Sequence, residues 1–154
     1  MATAVKIDWR RVLLQGVLAG IPAGIAFDVA IYLARLRSGH ASMLAVWQFI
    51  ASTAIGKTAF TTTSYAWLGL GMHFAVSIAW ASGYAYLAQS KAALNAHPVI
   101  SGLVFGVLVY VVMQIVLVGD NNFHLPAPPA FFASLVEHCI FGLVVAGVVR
   151  ARSL

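Results

Sequence analysis

An all-α, polytopic membrane protein is predicted: a bundle of four spanning helices with a short interfacial or re-entrant helix between the first and second spans. Three observations predict it. Of the 154 residues, 62% are hydrophobic and only 8% are charged, which excludes an ordinary water-soluble domain. The apolar residues fall into runs close to the roughly 20 residues a helix needs to cross the hydrocarbon core. The formal charge of +5 comes from basic residues that flank those runs, a placement suited to topology and lipid headgroups and not to nucleic acid.

The first span is expected over 12–36, after a short head in which Trp9 stands beside Arg10 and Arg11 at the headgroup interface. The run is too long for the core of a signal peptide and no small-residue cleavage site follows it, so an uncleaved helix is expected. Gly16, Gly20 and Gly24 recur every four residues and invite close approach of a second backbone. Asp28 is the next member of that series, and Pro22 is expected to kink the helix. The segment 43–56, MLAVWQFIASTAIG, is apolar but too short to span, hence the interfacial or re-entrant assignment.

The second span, 65–87, has no charged residue but contains His73, with Ser77 one turn further on the same face. Residues 88–98 read as a polar connector whose proline opens the third span, 99–119, where Gly102, Gly106, Tyr110 and Gln114 share the four-residue spacing. The loop DNNFHLPAPP cannot continue a helix through its prolines. The fourth span, 130–149, carries Ser134, His138, Gly142 and Ala146 at the same spacing, with Glu137 beside His138 and about 100° away around the helix.

Six Lys and Arg lie on the side shared by head, second loop and tail, against three on the other side. Both termini are therefore expected in the cytoplasm of a bacterial inner membrane. At about 1.5 Å per residue, Asp28, His73, Gln114 and His138 all fall in the outer half of the bundle. With Ser77, Tyr110 and Glu137 they form an expected polar pocket able to handle protons, a cation or a small ligand.

The competing reading is purely structural: the polar groups bond across helices and the glycine faces Gly16, Gly20, Gly24, Gly102, Gly106 and Gly142 dock helices, a homo-oligomer or a partner subunit in the bilayer. A third makes His73 and His138 ligands of a b-type haem. Asp28, His73 and His138 are the candidate ligands of a divalent metal, although no HxxxH or ExxH spacing supports one. No cofactor and no catalytic residue are expected, since no nucleophile stands beside a base. Asp120 and His124 read as solvated loop residues, His97 as a turn residue and Cys139 as an inert apolar-helix thiol.

Gln48, Ile50, Ala51, Ser52 and Gly56, then Leu68, Gly69 and His73, then His97, Pro98, Gly102, Gly106, Tyr110 and Met113, closing with His138, resemble small bacterial inner-membrane proteins. A more distant resemblance is to the YagU family, carried by His73, Ser77, Gly83 and Tyr84 and a late histidine like His138, over most of 47–152. It implies a multi-span membrane protein with no established reaction and a loose link to acid tolerance. The chain departs from that family in lacking a long insert before the second span and in placing Glu137 before His138.

Overall fold

The computed structural model describes residues 6–39, 42–119 and 128–152. The described residues are helical: α1 (Trp9–Arg37), α2 (Leu44–Ile55), a 3-10 turn (Gly56–Phe60), α3 (Tyr65–Ser90), α4 (Ala92–Ala96), α5 (Pro98–Gly119) and α6 (Pro128–Ala151). Asp120 and His124 lie outside them.

Helix α1 starts three residues before the expected position because Asp8 caps it, its carboxylate accepting from Arg11 N at 3.1 Å. It ends where Ser38 N–H and Oγ turn back to the Arg35 carbonyl and Gly39 takes a φ of +79°. Helix α2 stops at Gly56, with a φ of +59°. Residues 88–98 are not an open connector. Helix α3 runs on to Ser90 and α4 forms a further short helix, which Asn95 Nδ2 ties back to the Ala88 carbonyl at 3.1 Å. Ser101 Oγ accepts from Tyr84 O–H at 2.8 Å and lies 2.9 Å from the Leu94 and His97 carbonyls, joining α3, α4 and α5.

Three helices are long and apolar enough to cross a membrane: Trp9–Arg37, Pro98–Val116 and Phe131–Ala151. Helix α3 is uncharged, but His73, three serines and three tyrosines interrupt its apolar run, and it falls outside that group. Side-chain placement follows the rule for helices in lipid, with small residues inside and large ones outside. On α1 the buried positions include Gly16, Ala19, Gly20, Ala23 and Gly24, whereas Leu13, Val17, Ile21, Ile25, Val29 and Leu33 are exposed. On α5 Gly102 and Gly106 are buried while Ile100, Val104, Val107, Leu108, Val111 and Ile115 are exposed. Continuous apolar stripes of this extent are not a surface that water tolerates.

The glycines set the pairing. A Cβ on Gly20 would stand 2.6 Å from Ile78 Cα, and one on Gly24 would stand 3.1 Å from Ser77 Oγ; Gly16 faces Ser82. Positions rising along α1 meet positions falling along α3, so the two helices are antiparallel. Helices α5 and α6 lock in the same way, a Cβ on Gly102 lying 2.9 Å from the Gly142 carbonyl and one on Gly106 lying 2.8 Å from Cys139 Cα. Helix α6 also packs on α1, and Arg11 Nη2 donates to the Arg152 carbonyl at 3.0 Å. Gln89 exchanges two hydrogen bonds with the Asp8 backbone, and Trp9 stacks on Tyr86 at 5.5 Å. The start of α1 and the ends of α3 and α6 therefore share one end of the molecule.

Helix α2 packs against the start of α3, where Gly69 meets the Trp47 carbonyl. Buried Gln48 holds it there, its Nε2 donating to the Ala59 and Thr62 carbonyls, each at 3.0 Å. Gln48→Ala leaves both carbonyls without this donor and is expected to cost about 1–3 kcal/mol. Thermal unfolding in detergent, compared with Gln48→Glu and Gln48→Leu, checks this; an unchanged midpoint in all three would remove the pinning role.

Candidate functional site: a cavity in the half of the molecule away from the termini

Helices α1, α2, α3, α5 and α6 surround a cavity of about 430 Å³. Its wall is mostly apolar, from Ile31 on α1, Val46 and Ile50 on α2, Met72 and Val76 on α3, and Val109 and Met113 on α5. Aromatic side chains Phe27, Phe49, Trp80 and Phe141 complete it. Helices α3 and α5 meet through Trp80 and Tyr84 against Phe105, toward the end that holds the termini. Helix α2 contributes Val46, Phe49, Ile50 and Thr53 to the wall.

Of the seven residues expected in a polar pocket, His73, Ser77, Gln114, Glu137 and His138 border this one cavity. Glu137 and His138 do so together despite pointing about 100° apart, because the space is wide enough to be reached from two sides of α6. Asp28 stands behind the wall, its Oδ1 3.5 Å from His73 Nε2. Tyr110 also stands outside it, its ring edge-on to His138 at 5.3 Å and to Phe131 at 5.2 Å, and its hydroxyl has no hydrogen-bond partner among the described residues.

The backbone fixes which nitrogen of each imidazole carries hydrogen. His138 Nδ1 lies 2.7 Å from the Ser134 carbonyl. A carbonyl can only accept, so Nδ1 is the donor and Nε2 holds the lone pair of the neutral ring. His73 Nε2 lies 3.2 Å from the Gly24 carbonyl and faces the Asp28 carboxylate as well. The carbonyl can only accept, so Nε2 carries the hydrogen it receives and Nδ1 holds the lone pair of the neutral ring, with the Asp28 carboxylate close by. Gly24 makes this possible, since its missing side chain lets α3 come close enough for His73 to reach the α1 backbone. Trp47 reaches the neighbourhood of Asp28 from α2, but neither its Nε1 nor Asp28 Oδ1 closes a hydrogen bond of good geometry among the described residues.

Phe27 was not among the expected site residues, yet its ring bridges the two imidazoles, 5.6 Å from His73 and 4.8 Å from His138 between centroids. A haem ligated by both histidines would have to displace the Phe27 ring from its contacts with them. Asp28, His73 and His138 do not gather as a metal set: among the described residues no three His, Cys, Asp or Glu side chains come together. Asp28 and His73 pair, and His138 stands on the other side of Phe27. Cys139 is a free, half-buried thiol on the next position of α6. Sequence reasoning also missed Trp47, Phe49 and Thr53, which lie on the segment read as interfacial or re-entrant.

Comparisons with protein-family models, with characterised proteins and with solved structures find no match.

Proposed function

We propose that this chain is an integral, multi-pass protein of the bacterial inner membrane that takes up a small, largely apolar ligand in the cavity and holds its polar end at His73, Glu137 and His138. In this reading α1, α3, α5 and α6 form a four-helix bundle across the bilayer. Helix α3 counts as a span because it pairs with α1 over three successive glycine contacts, and α2 is a re-entrant element against its outer end. The termini face the cytoplasm: Lys6, Arg10, Arg11, Lys91, Arg150 and Arg152 belong to their end, against Arg35, Arg37 and Lys57 at the other. Kinship with the YagU family rests on the residue pattern given above.

The single observation carrying the ligand reading is that polar side chains from α3, α5 and α6 border one apolar-walled cavity. Ligand sites are mostly apolar clefts with a few converging polar groups. Photolabelling of the full chain in lipid nanodiscs with a diazirine derivative of n-octanol, mapped by mass spectrometry, tests it. Saturable adducts on Met72, Met113 and their neighbours are expected, suppressed by excess n-octanol and lost when Val76→Trp fills the cavity. Adducts scattered over the exposed stripes of α1 and α5, with no saturation, would overturn it.

A further inference from the structure

On the reading of the cavity as a ligand site, we infer that it selects a protonated amine carried on an apolar body, with Glu137 as the counter-charge. Among the polar groups bordering it, the two imidazoles and Glu137 offer acceptors, beside the amide of Gln114 and the hydroxyls of Thr53, Ser77 and Ser134. With Nδ1 of His138 donating to Ser134 O and Nε2 of His73 donating to Gly24 O, the nitrogen each neutral ring can still present to the cavity holds a lone pair. Glu137 adds a carboxyl with no hydrogen-bond or ion-pair partner among the described residues. An acid inside a bilayer is costly and normally faces protein or trapped water and finds a partner. Here the space beside it is where a partner fits.

Asp28 already stands against His73, so of the two acids Glu137 is the one without a basic side chain opposite it among the described residues. A carboxylate ligand would set its own oxygens against the carboxyl of Glu137 and the imidazole lone pairs, with no cationic side chain in the lining to meet it. A small hydrated cation would leave the apolar wall unfilled. An ammonium on a hydrocarbon body satisfies both surfaces, and the faces of Phe27, Phe49, Trp80 and Phe141 attract a cation further.

The experiment is competition against the diazirine octanol photolabel in nanodiscs, using n-octylammonium, n-octanol and n-octanoate, each corrected for partition into empty discs. The three share a body and differ in the head. Octylammonium is expected to displace the label at a concentration about tenfold or more below that of octanol, the size of one charge-assisted hydrogen bond, and octanoate is expected to compete no better than octanol. Glu137→Gln, nearly isosteric, should bring octylammonium to the level of octanol measured on the same variant. Equal competition by ammonium and alcohol, a preference for octanoate, or an ammonium preference that survives Glu137→Gln would each overturn the inference while leaving the cavity a ligand site. Failure of octanol itself to compete would instead overturn the ligand reading. The wild-type comparison decides the matter even if Glu137→Gln does not fold.

Discussion

Gly106→Val is expected to unfold more readily than any exposed substitution in the chain. Its first side-chain atom would meet the His138 carbonyl and stand 2.8 Å from Cys139 Cα, and neither is the end of a flexible side chain that can move aside. Helices α5 and α6 must separate, at a cost of about 1–3 kcal/mol or more, and the backbone carrying His138 moves with them. The contrast that isolates the cause is Gly147→Ala on the same pair of helices, where a Cβ meets nothing within 4 Å. That change relieves the conformational freedom of glycine and is expected to stabilise α6 by about 0.5–1 kcal/mol. Unfolding in mixed micelles followed by far-UV circular dichroism reads both signs. Similar losses for the two variants would mean that helix propensity, not close approach, governs this interface.

Phe27→Ala has the second large expected effect and a different signature. It removes a half-buried ring packed on His73 and His138, and truncations of this kind cost about 3 kcal/mol. The space left is apolar and joins the existing cavity. Apolar voids of this sort take up benzene, and a ligand that binds only the folded form raises stability by mass action. Benzene is therefore expected to restore the unfolding midpoint of Phe27→Ala and to do nothing for Gly106→Val, whose defect is a clash. Rescue of neither variant would show that the bundle collapses around the missing ring.

These expectations also mark what could be read from residues alone. Four-residue glycine spacing is legible because a helix brings such positions to one face, and the series through Gly16, Gly20 and Gly24 aimed Asp28 inward before any partner was known. Depth along the helices set Asp28 and His73 at one level, whereas their direct pairing at 3.5 Å depends on the register between α1 and α3 set by Gly20 against Ile78. Helix α2 shows the same limit. An apolar run of its length looks alike whether it lies in the headgroups or forms a wall, and what decides is Gly69 admitting the Trp47 carbonyl and Gln48 reaching back to residues 59 and 62. Phe27 was invisible for a simpler reason. An aromatic residue in an apolar run is indistinguishable from a lipid-facing one until the helix opposite is in place.

Glu137 is the chain's only glutamate, so a glutamate carrying 13C at its carboxyl reports on one atom. Solid-state NMR dipolar recoupling between that carbon and 15N-labelled n-octylammonium, in bilayers, measures the contact on which the account rests. A carbon-to-nitrogen separation of about 4 Å or less is predicted for a charge-assisted hydrogen bond. No dephasing at saturating amine would contradict it and leave the carboxyl of Glu137 without the role given to it.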